Sequence, residues 1–119
     1  MTASTGRDRV QSQRSVALSV TSFIVVGMEI VLRTETPEGI TVVLSAIVYA
    51  KILEEHAAVA DLDAISRTIR SPDDRRADVR PGRERFFRRE GHLWVLAVVE
   101  FGDIPAIIVT VFSTERPPA

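Results

Sequence analysis

A chain of 119 residues that is 45% apolar and 26% charged, with a formal net charge of −1, has the composition of one globular domain and is neither disordered nor membrane-spanning. It contains no cysteine, which removes disulfides, thiolate catalysis and cysteine-ligated zinc or iron–sulfur sites, and it suits a reducing cytoplasm, the expected compartment. His56 and His92 are its only imidazoles and form neither an HxxxH nor an HxH spacing, so neither a metal nor another cofactor is expected.

Met1 to Arg14 is rich in Ser, Thr, Gln and Arg without apolar periodicity, and it buries too little surface to offset the entropy of ordering. Val16 to Met28 then imitates the apolar region of a secretory signal, with Arg7, Arg9 and Arg14 ahead of it. No small-x-small cleavage site follows, and Glu29 closes the run at a length too short to span a bilayer. The run reads either as an extra strand or as an upstream extension with Met28 as the start used. The domain boundary is placed at Met28, giving an extension over 1–27, a single domain over 28–115 and a short tail over 116–119.

From Met28, the alternation in EIVLRTE and ITVVL around Pro37 to Gly39 predicts a β-hairpin. Ser45 can cap a helix in which Tyr49, Ile52, Leu53 and His56 share one face while Lys51, Glu54 and Glu55 point away. His56 therefore closes the helix on its inward side. Asp61 can cap a second helix with Leu62, Ile65 and Ile69 as an apolar stripe and Arg67 outward, and Ser71-Pro72 stops it. SPDDRRADVRPG reads as a loop over one sheet edge.

RERFFRR predicts a strand with Arg83, Arg85 and Phe87 on one face and Glu84, Phe86 and Arg88 on the other. One phenylalanine is expected in the core, leaving the other to pack at an edge or stack a base. After the Glu90-Gly91 turn, HLWVLAVVEF is apolar on both faces and predicts a central strand, with Trp94 in the core and His92 on the surface. AIIVTVF completes a three-stranded antiparallel meander. Thr110, expected on the face of Ile108 and Phe112, is its one hydroxyl. The fold class is therefore α+β: an N-terminal hairpin and two helices, then the meander.

Charge is unevenly spread. Residues 28–66 carry two cations against seven acids, whereas residues 67–92 carry nine arginines against five acids. A basic patch of this kind attracts phosphates, although a solvated surface of mutual ion pairs accounts for the same residues.

The run ILEEH, a helix ending TIRSPD, then GRERFFR, WVLAVVEF and IIVTVF resembles the small phage-associated members of the barnase, EndoU, colicin and RelE-like nuclease superfamily. The resemblance covers roughly Met28 to Phe112. It implies a metal-independent, cytoplasmic ribonuclease of toxin or phage type, with His56 and Thr110 as catalytic residues and Arg83, Arg85 and Arg88 binding the phosphate. RNA, and a cognate antitoxin or immunity protein, would then be partners, with no membrane involved. Lys51 stands where family members often carry a second histidine, and Tyr49 where they carry tryptophan.

Metal-free RNA cleavage needs one group to take the 2′-hydroxyl proton, another to protonate the leaving oxygen, and fixed positive charge on the phosphorane. His56 is the single convincing proton-transfer group near the arginines. A non-catalytic RNA- or protein-binding module of the same fold, or a purely structural domain, therefore stays open beside the ribonuclease. The Met28 boundary predicts that a chain starting there melts cooperatively near the full-length temperature by circular dichroism. A large loss of stability would instead make Val16 to Gly27 an integral strand.

Overall fold

The computed structural model describes residues 29–118, and the expectations for the N-terminal extension lie outside them. The chain enters as the hairpin β1 (Ile30–Glu35) and β2 (Thr41–Ser45). The turn forms where Pro and Gly predict it: the Gly39 amide donates to the Thr36 carbonyl at 2.9 Å and the Ile40 amide to Thr36 Oγ1 at 3.1 Å. Gly39 takes a φ of +91°, a region that side chains with a Cβ disfavour.

Ser45 ends β2 and caps α1 (Ala46–Glu55), its Oγ accepting from the Val48 amide at 3.2 Å. The His56 amide closes that helix on the Ile52 carbonyl, and a 3-10 turn follows over Ala57–Val59. Asp61 caps α2 (Leu62–Arg70) through the Asp63 amide at 3.0 Å. Both helix starts therefore follow the capping signals in the sequence. Leu53 departs from expectation: the buried face of α1 runs through Ile52, and Leu53, about 100° further round the helix, is 49% exposed.

The second half is a meander of four strands rather than three. Strand β3 (Asp74–Ala77) lies inside the segment read as a loop and pairs antiparallel with β4 (Arg83–Glu90), which pairs with β5 (Leu93–Glu100) and then β6 (Ala106–Thr114). The sequence hides β3 because its alternation is carried by charge. Arg75 lies over the Phe86 ring at 4.4 Å and Arg76 pairs with Asp74, so the strand's one apolar residue is the exposed Ala77 and charged side chains fill the rest, as is common at sheet edges.

The second correction concerns sheet order, which is β1-β2-β6-β5-β4-β3. Hairpin and meander form one mixed sheet, joined by parallel pairing of β2 with β6 at Val42↔Ala106 and Val43↔Ile107. As expected from its apolar faces, β5 is internal.

Val42, Leu44, Phe86, Val95, Ala97, Val99, Ile108 and Val111 form the main core with Ile52, Val59, Ile65 and Ile69 from the helical segment. A smaller cluster of Phe87, Leu96 and Val98, with Trp94, Val109 and Phe112 packed against it, occupies the opposite face. Both phenylalanines of β4 are thus buried, Phe86 at 0% and Phe87 at 6% exposure, leaving neither free to stack a base. Phe86 sits between the Arg75 guanidinium and the Phe101 ring, whose centroid is 6.2 Å away. Phe86→Ala is expected to cost about 3 to 5 kcal/mol, read from chemical denaturation, and a loss below about 1 kcal/mol would contradict its place in the core.

Candidate nucleic-acid interface

Strand register decides which of the predicted site residues meet. Arg85 pairs across to Val98, and Val98 to Thr110, placing all three in one row on the sheet face away from the helices. Arg83 lies on the same face opposite Glu100, one row along. Thr110 reaches this face through a bulge: Val99 pairs with Ile108 but Val98 with Thr110, so Val109 is the extra residue and the alternation shifts. Ile108 consequently points into the main core, and Thr110 does not share its face as the simple alternation predicted.

His56 is half-buried at the end of α1, its ring centroid 5.9 Å from that of Phe112. Phe112 stands two residues beyond Thr110 on the same face of β6, in a row with Leu96 and Phe87 that lies between the row of Arg85 and Thr110 and the row of Arg89 and Trp94. Arg85 and Thr110 are separated by two strand spacings, about 10 Å. Arg88 is not part of this group. It follows Phe87 on β4, faces the helices, donates Nη1 to the Ser71 carbonyl at 2.6 Å and pairs through Nε with Glu90 at 3.2 Å.

Each of the three arginines is already engaged. Arg83 Nε donates to Glu100 Oε1 at 2.9 Å. Arg85 Nε lies 3.4 Å from Asp78 Oδ1, within ion-pair reach but not aligned for a hydrogen bond, and its Nη2 donates to the Ala77 carbonyl at 3.4 Å. Glu90 accepts from Arg88 and also takes Arg67 in a fork of two 3.2 Å bonds. Arg67 and Arg88 together hold the Glu90 carboxyl below the usual carboxylate range, Arg67 acting most strongly.

The same pattern recurs at the sheet edge. Arg75 clasps Glu84 through Nε and Nη2 at 3.0 and 2.9 Å and reaches Glu38 in the β1–β2 turn through Nη1 at 2.7 Å. These hydrogen bonds raise the Arg75 pKa, Glu84 contributing most.

Sequence reading missed which cations escape this pairing. Among the described residues Arg33, Lys51, Arg70, Arg80, Arg89 and Arg116 have no carboxylate partner. Arg89, at the β4–β5 turn, places its guanidinium 5.7 Å from the Trp94 ring centroid and donates Nε to the Gly91 carbonyl at 2.7 Å. Two clefts formed by described residues lie away from His56: one is lined by Arg33, Thr34, Glu35, Thr41, Ser66 and Arg70, the other by residues around Arg75 and Phe101. Among the described residues no cluster of three His, Cys, Asp or Glu side chains is placed to hold a metal ion, and no helix is long and apolar enough to cross a membrane.

Compared with protein-family models, curated proteins and solved structures, the chain matches none.

The Arg75 hydrogen bond, aided by the Glu38 amide and Thr36, lowers the Glu38 pKa from 4.5 to about 2. A depressed folded-state pKa means that the stabilisation is complete above the unfolded value and is lost as pH falls through the folded one. The Glu38 carboxyl should therefore titrate by NMR near pH 2, and in Arg75→Gln its midpoint should return toward 4.5. A native midpoint already at the ordinary value would show that the Arg75–Glu38 pair does not persist in solution.

Proposed function

We propose that the protein is a non-catalytic RNA-binding module rather than a ribonuclease. The observation that carries this reading is the contrast between Arg89, which lies over the Trp94 ring with no carboxylate partner among the described residues, and Arg83, Arg85 and Arg88, each held by a carboxylate. A phosphorane at Thr110 would need a guanidinium free to take its charge, and those of its own row and of the row beyond are held by Asp78 and Glu100. Arg89 with Trp94 instead offers a charged and apolar surface suited to a phosphate and an adjoining base. The exposed His92 stands beside it, across the turn.

The ribonuclease reading keeps one supporting observation, the position of His56 against Phe112 on the flank that Thr110 occupies. A cognate antitoxin or immunity protein belongs to that reading alone.

The two separate in one experiment. Single-stranded RNA should bind by fluorescence anisotropy with an affinity that falls as salt rises, Arg89→Gln should weaken it several-fold, and no cleavage should occur with or without chelator. Cleavage by the unmodified protein that disappears in His56→Gln, with the melting temperature kept within a few degrees, would overturn the non-catalytic reading in favour of the ribonuclease.

A further inference from the structure

A line of charged and aromatic groups crosses the sheet face away from the helices. Arg89 on β4 pairs across to Trp94 on β5, and Trp94 to Thr114 on β6. One row along, Phe112 pairs with Leu96, which makes Phe112 the diagonal neighbour of Trp94 on the same face, about 7 to 8 Å away. The Arg89 guanidinium lies 5.7 Å from the Trp94 ring centroid at one end of the line, and the His56 ring lies 5.9 Å from that of Phe112 at the other. His56 comes within reach because β2 pairs with β6 only as far as Val43↔Ile107, and beyond that point α1 and the 3-10 turn pack against β6 instead.

These groups differ in exposure from the apolar centre of the same face. Phe87, Leu96 and Val98 are 6%, 5% and 7% exposed, whereas Trp94, Phe112 and His56 are each partly exposed and Arg89 is exposed. Trp94 and Phe112 are thus anchored against a buried cluster on one side and accessible on the other. Thr110 and Thr114 flank Phe112 on its own face, one row to either side, and both are partly exposed. Their hydroxyls stand where the polar edges of a base stacked on Phe112 would lie. We infer that this line holds an unpaired dinucleotide step of RNA: a phosphate on Arg89, one base on Trp94 and the next on Phe112 between the two threonines, with His56 at its far side. Rings on neighbouring strands of a sheet suit successive bases of an extended single strand, and stacking accepts any base because each has a π face. The inference rests on the RNA-binding reading, and it adds a second base position and the direction in which the strand crosses the sheet.

Trp94 is the only tryptophan of the chain, so its fluorescence reports stacking on it directly. The probes are uridine 5′-monophosphate, the dinucleotide pUpU, a ten-residue oligouridylate and a ten-base-pair RNA duplex, each titrated into the full chain at one salt concentration. The three single-stranded probes should quench Trp94 and the duplex should not. The step from one nucleotide to two should tighten binding about tenfold, the contribution of one further stacked base. Phe112→Leu should abolish that gain and leave mononucleotide binding unchanged, whereas Phe112→Tyr should preserve it. Thr114→Val should reduce the gain. Circular dichroism melting on each variant checks the fold.

A full gain from the second nucleotide in folded Phe112→Leu would overturn the Phe112 position and leave the Arg89–Trp94 contact standing. Should that variant fail to fold, an undiminished gain in Thr114→Val overturns it equally. Equal quenching by the duplex would overturn the stacking of unpaired bases. Binding of the oligouridylate without quenching of Trp94 would remove both base positions and keep RNA binding. Absence of binding by all four probes would remove the RNA-binding reading and this site with it.

Discussion

Two residue pairs, Val42↔Ala106 and Val43↔Ile107, join the halves of this molecule, and the rest of the architecture follows from their being parallel. Parallel neighbours cannot be connected by a tight turn, so the chain between β2 and β6 must leave the sheet and return to it. It does so by placing α1 and α2 on one face and then laying down the meander from the far edge inward. Helices on one face alone divide the apolar residues into a large cluster beneath them and a small one opposite. The same division sends Arg88 to one side of β4 and Arg83 and Arg85 to the other.

The ion pairs tie elements that the apolar core leaves loosely connected. Glu90 joins α2 to β4 through Arg67 and Arg88, and Arg75 joins β3 to β4 and to the β1–β2 turn. Most of these groups remain partly exposed, so each pair is worth about 0 to 1 kcal/mol. Their greater effect is on charge. A segment whose composition promises a strongly basic surface spends most of its guanidiniums on neighbouring carboxylates, some close in sequence and others, such as Glu38 and Glu100, brought in by the fold.

How legible each feature was depends on whether its cause is local. The hairpin turn, the Ser45 and Asp61 caps, the opposed faces of β4 and the internal place of β5 rest on signals within a few residues, and all were readable. Strand β3 was not, because charged residues carry its alternation and its partner strand supplies the reason to extend. The bulge at Val109 leaves no compositional trace, yet it reverses the face of Thr110 relative to Ile108. Which arginines stay without a carboxylate among the described residues was invisible, since partners such as Glu38 and Glu100 are distant in sequence and only the fold brings them in.

An anion approaching the two sides of this molecule meets different costs. At the row containing Arg85 and Thr110 it must compete with Asp78, and at the next row with Glu100, displacing a carboxylate already in place before gaining a guanidinium. Displacement of one anion by another yields only their difference, and it leaves a protein carboxylate unpaired beside the incoming phosphate. Arg33, Arg70, Arg80, Arg89 and Arg116 have no carboxylate partner among the described residues, so no such exchange is needed at them. The density of arginine in the sequence is therefore a poor guide to available charge, since six of the nine arginines in residues 67–92 are paired with carboxylates within the fold.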